Sequence, residues 1–243
     1  DHVSGADRAS VRHTALSGGS GAIQSGALTA RGVLAASLLC LACGAAVGLY
    51  LNAATRGNVV MLLGGLGVLL AWGYSERPIR LGYRGWGAGE ATVGVAFGPL
   101  PVVGAYYVQT ESVSLSALAA SLPMALLVAL VLLVNGFPDL ESDSSVGKKT
   151  FVVTFGERRT IAGHHVLLAL VYLTTGLLVV ANVFPIWCML SFATLPLALW
   201  GARVLRSAGD EYAALARAGA ATVVLHALFG LLLVGGLLAA RHA

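Results

Sequence analysis

Apolar residues in this chain neither alternate with polar ones nor keep to one face of a helix. They fall in long, nearly uncharged runs at residues 32–51, 59–74, 87–108, 116–134, 161–184, 186–201 and 221–240. A bilayer core about 30 Å thick takes about 20 helical residues at 1.5 Å rise each, so each run predicts a membrane-crossing helix. Barrel strands would show segments of about 10 residues in which apolar and polar positions alternate, a pattern absent here. The expected fold class is an all-α integral membrane protein, a helical bundle with seven visible transmembrane helices and one domain over residues 1–243. The third run is the least regular, because Glu90, Pro99 and Pro101 interrupt it; packed membrane helices tolerate such breaks. The 31 glycines suit close helix contact.

Composition changes the picture by exclusion. With 57% hydrophobic and 11% charged residues, the chain lies far from the roughly 25% charged residues of soluble domains, so a soluble globular enzyme is excluded. Of 15 Lys and Arg, alternate loops collect Arg8, Arg12, Arg31, Arg77, Arg80, Arg84, Lys148, Lys149, Arg158, Arg159, Arg203, Arg206 and Arg217 on one side, leaving Arg56 and Arg241 on the other. The positive-inside rule makes the first side cytoplasmic. No compact basic domain exists and aromatics are sparse, so no nucleic acid is expected as a partner. Three cysteines give no disulfide framework, and Cys40 and Cys43, inside an apolar run, read as packing residues. The chain opens at Asp1 without a methionine and shows no signal-peptide pattern; it reads as truncated at its start.

The polar residues of the basic side carry the candidate chemistry. Asp139 and Asp143 are four apart, a spacing that on a helix puts two carboxylates on one face about 5–6 Å apart, with Asn135 one turn back. Three oxygen ligands with open positions suit Mg²⁺, which takes one or two carboxylates plus substrate phosphates. Asp1 and Asp7 form a second acidic arm, with Gly5 to bend the chain between them. Two such arms could clamp metal ions and a diphosphate. Lys148, Lys149, Arg77, Arg80 and Arg84 would neutralise a departing diphosphate, and Ser17-Gly-Gly-Ser-Gly21 is a stretch whose amides could cradle phosphate.

These residues carry a family resemblance. Asn135-x3-Asp139-x3-Asp143, then Gly147-Lys148-Lys149-Thr150 and Phe155-Gly156, resembles the second aspartate motif of the UbiA-superfamily intramembrane prenyltransferases. Asp1-x5-Asp7 is similar to the tail of their first motif, whose leading Asn and Asp would lie just upstream. Within the superfamily, Ser17-Gly-Gly-Ser20, Ile23-Gln24, Gly26, Tyr74, Tyr83-Arg84-Gly85 and Phe97-Gly98-Pro99 resemble the 1,4-dihydroxy-2-naphthoate prenyltransferases of menaquinone synthesis. Gly136 and Pro138 depart from the Asn and Arg usual in that branch, and Ser144 and Ser145 from a usual charged pair.

The resemblance implies a nine-helix bundle, of which seven runs would be present, in the inner cell membrane with its active site on the cytoplasmic face. It implies Mg²⁺-dependent transfer of an isoprenoid chain from a polyprenyl diphosphate to an aromatic acceptor, such as dihydroxynaphthoate, with loss of the acceptor's carboxyl group. By the same resemblance Asp1, Asp7, Asn135, Asp139 and Asp143 hold metal, the last three being catalytic. Lys148, Lys149, Arg77, Tyr74, Arg84, Gln24 and Ser17 bind substrate.

Glu90 stands apart, because a carboxylate in a membrane helix is costly and usually functional. It could bind a substrate hydroxyl or sit at the interface. A secondary transporter would place its acids near the bilayer midplane, whereas these cluster at helix ends. A phosphotransferase of the CDP-alcohol type lacks its Asp-Gly and Ala-Arg signature here.

Overall fold

The computed structural model describes residues 21–209 and 211–240. Regular structure among them is helical, apart from an isolated bridge between Arg84 and Lys149. Six helical segments are long and apolar enough to cross a membrane: Ala30–Ala54, Ala88–Thr110, Leu115–Asn135, Glu157–Val180, Ile186–Ala208 and Tyr212–Ala239. The seventh expected crossing, Val59–Ser75, is an apolar helix of 17 residues, about 26 Å long at 1.5 Å per residue. These are the first to seventh spans in chain order, Val59–Ser75 being the second.

Three spans are broken where the sequence removes a donor or adds a turn former. The third passes from Ala88–Phe97 to Pro99–Thr110 through Gly98, because Pro99 has no N–H to continue the ladder. The fourth bends at Ser121, whose hydroxyl donates to the Leu118 carbonyl at 2.6 Å, ahead of Pro123. The sixth begins as a 3₁₀ stretch, Ile186–Thr194, and becomes α-helical at Leu195, with Pro196 in its first turn.

The fourth span is central, packing against the third, fifth and seventh. Its Leu127 and Leu130 are fully buried among Val171 of the fifth span, Cys188 of the sixth and Phe229 of the seventh. The first span touches the second and buries no residue; its leucines face outward, as lipid-facing side chains do where the surrounding solvent is itself apolar. Glycine governs the closest contact of the third and fourth spans. A Cβ at Gly94 would lie 3.1 Å from the Ala125 carbonyl oxygen, and one at Gly98 2.5 Å from the Ala125 Cβ. This small-residue seam sets the distance between two helices that wall a polar pocket at one end of the bundle.

Candidate active site

The fourth span stops at Asn135 for a reason legible in the chain. Pro138 cannot donate to a helix ladder, and residues 136–139 form a turn in which the Phe137 N–H bonds to the Val134 carbonyl. Asp139 then stands at the N-cap position of the short helix Leu140–Ser145 without a side-chain capping bond, and the Asp143 N–H reaches the Asp139 carbonyl at 2.8 Å. The single helical face expected for Asn135, Asp139 and Asp143 is thereby corrected: two helices meet at a turn. All three residues nevertheless line one pocket, with Asp143 only 4% exposed and Oδ1 of Asp139 buried.

The chain returns to that pocket through Gly147, whose φ of +70° suits a residue without Cβ. The Lys148 N–H bonds to the Asp143 carbonyl at 2.9 Å, and the Lys148 Nζ pairs with Asp143 Oδ1 at 3.0 Å in a setting where both side chains are largely buried. The same ammonium lies 5.6 Å from the centre of the Tyr83 ring, within cation–π reach. Lys149 bridges to Arg84 by backbone, and the Thr150 hydroxyl caps the helix Phe151–Phe155.

The loop after the second span closes the other wall. A Cβ at Gly82 would lie 2.9 Å from the Tyr74 ring and one at Gly89 3.7 Å from it, so two glycines make room for the phenol. Gly85, at φ +70°, abuts the Thr154 hydroxyl and the Lys149 carbonyl, fastening this loop to the lysine segment. Glu90, in the first turn of the third span, lines the pocket together with Phe151.

Of the residues expected from sequence, Asn135, Asp139, Asp143, Lys148, Lys149 and Tyr74 thus converge with Glu90. Arg77, Arg84 and Gln24 do not: all three are exposed and none lines the pocket, and the Arg84 Nε donates to the Ile79 carbonyl at 2.8 Å. Asp1, Asp7 and Ser17 lie outside the described residues. Among the described residues no group of three or more His, Cys, Asp or Glu side chains gathers as a metal site. What the pocket offers is three carboxylates, those of Asp139, Asp143 and Glu90, and the amide of Asn135. Thr150 and Phe151 line the pocket as well; Thr150 closes the Gly147–Thr150 motif, whereas the sequence sign of Phe151 is only its adjacency to it.

Comparison with known proteins agrees with this geometry. The family model described as "UbiA prenyltransferase family" matches residues 20–216. The chain is 34% identical over 179 residues to a 1,4-dihydroxy-2-naphthoate octaprenyltransferase of Mycobacterium tuberculosis, covering 74% of this chain and 59% of that protein. It is 32% identical over 183 residues to a 2-carboxy-1,4-naphthoquinone phytyltransferase of Synechocystis, covering 73% and 57%. A UbiA prenyltransferase domain-containing protein 1 of Gallus gallus is 31% identical over 160 residues, covering 66% and 46%. The chain therefore spans less than two thirds of the length of these relatives. No solved structure matches it. A family match over most of the chain, together with a carboxylate pocket at one end of a membrane bundle, leads to one conclusion: the chain belongs to the UbiA prenyltransferase family.

Proposed function

We propose that this chain transfers an isoprenoid chain from a polyprenyl diphosphate to 1,4-dihydroxy-2-naphthoate in menaquinone biosynthesis, at the cytoplasmic face of the inner cell membrane. The observation that carries the reading is the convergence of Asn135, Asp139 and Asp143 with Lys148 and Lys149 in one pocket. The names of the relatives from Mycobacterium tuberculosis and Synechocystis favour a naphthoate-type acceptor. The loop charge bias favours the cytoplasmic side.

The donor set fits Mg²⁺, since carboxylate and amide oxygens are hard ligands and this ion takes one or two carboxylates from protein and the rest from phosphate and water. Asp139 and Asp143, with Asn135, would hold it, and Asp1 and Asp7 would supply the opposing arm. When bound, it neutralises charge on the leaving diphosphate. Lys148 adds a positive charge next to Asp143 and would shift toward the diphosphate oxygens as they arrive. Lys149 lies on the same wall. Tyr74 and Glu90 offer a phenol and a carboxylate to orient the acceptor hydroxyls. Leu132, Leu133 and Val152 form the apolar part of the wall and limit water at the carbon from which the diphosphate departs.

The test is direct. Membranes holding the protein are incubated with Mg²⁺, labelled prenyl diphosphate and a panel of aromatic acids, and the product is identified by mass. A prenylated naphthoquinol precursor is expected; no product with any acceptor overturns the proposal. Lys148→Ala should raise the KM for the diphosphate by about 10- to 100-fold, in line with the roughly 1.5–3 kcal/mol typical of a charge-assisted hydrogen bond, while the KM for the acceptor stays within twofold. Equal rises in both would remove Lys148 from the diphosphate side.

A further inference from the structure

A second cavity, of about 530 Å³, opens at the same end of the bundle and is separate from the carboxylate pocket. The two share a wall: Phe137 lines this cavity, while its neighbours Gly136 and Asp139 line the other. Its floor is apolar, made by the buried Phe137, Leu205 and Leu215. Among the described residues its rim is polar and carries Arg158, Arg206 and His165 with the carboxylate of Glu157.

The two rim arginines are set apart by bordering a cavity while other arginines are engaged elsewhere or lie outside it. Arg84 and Arg80 donate to backbone carbonyls, Arg56 pairs with Glu111 and Arg217 with Glu211. Arg158 and Arg206 make no ion pair or hydrogen bond with any described residue, yet both border the same cavity. The cavity sits where the fifth span begins at Glu157, the sixth ends at Ala208 and the seventh begins at Tyr212. Those helix ends mark the level at which a bundle leaves hydrocarbon and meets headgroups. Two such guanidiniums above an apolar floor, at that depth, match a phosphate on an apolar anchor: the fork of Arg binds phosphate oxygens, and basic pockets between membrane helices take lipid headgroups.

We propose that this cavity binds an anionic phospholipid, its phosphate between Arg158 and Arg206 and the start of its acyl chains on Phe137, Leu205 and Leu215. Since Phe137 belongs to the turn that presents Asp139, the lipid packs against the back of the candidate active site. The site does not depend on the prenyl-transfer reaction.

The test titrates the full chain in neutral detergent with phosphatidylglycerol or phosphatidylcholine of the same acyl chains, and counts bound lipid by native mass spectrometry. Tight binding of phosphatidylglycerol over phosphatidylcholine is expected, with a loss of roughly 30-fold in affinity for Arg158→Gln/Arg206→Gln, from about one factor of five per arginine near a membrane surface. Arg159→Gln/Arg203→Gln, on the same end but outside the cavity, should change affinity less than twofold. If the double variant does not fold, each single change should cost about fivefold. Equal loss in the control pair, or undiminished binding in Arg158→Gln/Arg206→Gln, overturns the site. Displacement of the lipid by inorganic phosphate alone, or by prenyl diphosphate at equal concentration, would reassign the cavity to a free anion or to the substrate and so overturn the phospholipid.

Discussion

Asp139→Asn and Asp143→Asn will each lower prenyl transfer by roughly 10³-fold, the cost of several kcal/mol of lost charge stabilisation at a departing diphosphate. Asparagine is nearly isosteric with aspartate, so each change removes charge with little change in side-chain shape. Asp143 is 4% exposed and pairs with Lys148 at 3.0 Å. Neutralising it removes the carboxylate charge 3.0 Å from a largely buried ammonium, and breaking such a pair costs about 3 kcal/mol. Asp143→Asn should therefore lose both activity and stability. Adding Lys148→Met removes the ammonium as well, so the double variant should recover most of the stability and none of the activity. Turnover of Asp139→Asn within tenfold of the parent would remove that carboxylate from the metal site, and a double variant no more stable than Asp143→Asn would refute the account of the pair.

The spans were legible because hydropathy responds to the bilayer, and little besides a membrane crossing requires a run of about 20 apolar residues. The shape of the site was less so. The i, i+4 spacing of Asp139 and Asp143 correctly grouped the two carboxylates, which the short helix Leu140–Ser145 keeps one turn apart, but extending the same rule back to Asn135 assumes an unbroken helix, and the turn at 136–139 with Pro138 breaks it. Asn135 still meets the carboxylates because that turn redirects the chain without carrying them away from the pocket. Charge counting alone does not rank the bases of that side. Arg77, Arg84 and Lys148 are alike in a sequence, yet Lys148 alone meets a buried carboxylate, whereas Arg84 is spent on the Ile79 carbonyl and Arg77 is exposed. What separates them is the docking of the 76–87 loop on the lysine segment through Gly85 and Thr154, a contact between residues 69 positions apart that no local pattern encodes. Glu90 is the converse case. Its cost in a membrane helix marked it, and the structure places it on the same pocket.

Gly98→Ala should destabilise the protein by about 2–3 kcal/mol, although it adds a single methyl group. The ordinary expectation has the opposite sign, since replacing glycine with alanine restricts the unfolded chain and stabilises by about 0.4–1 kcal/mol where the backbone and the space allow it. At Gly98 φ is negative, at −104°, so a left-handed backbone plays no part and the lack of space sets the sign. The new Cβ would lie 2.5 Å from the Ala125 Cβ and 2.8 Å from the Ala125 Cα, while carbon atoms prefer about 3.5–4.0 Å. No rotamer relieves this, because the backbone fixes Cβ and the opposing atoms belong to a rigid helix. The third and fourth spans must therefore separate by about 1 Å, which also loosens the Gly94 contact with Ala125 and Ala129. Those spans carry Glu90 and Asn135 to opposite walls of the pocket, and a displacement of about 1 Å at a reacting centre costs about 10²-fold in rate. Gly98→Ala should thus lower both the melting temperature and kcat. Gly64→Ala in the second span is the matched comparison, because a Cβ there meets nothing within 4 Å; it should leave activity unchanged and raise stability slightly. A melting temperature for Gly98→Ala at or above that of Gly64→Ala would show that the seam between the third and fourth spans yields, and that it does not set the width of the pocket.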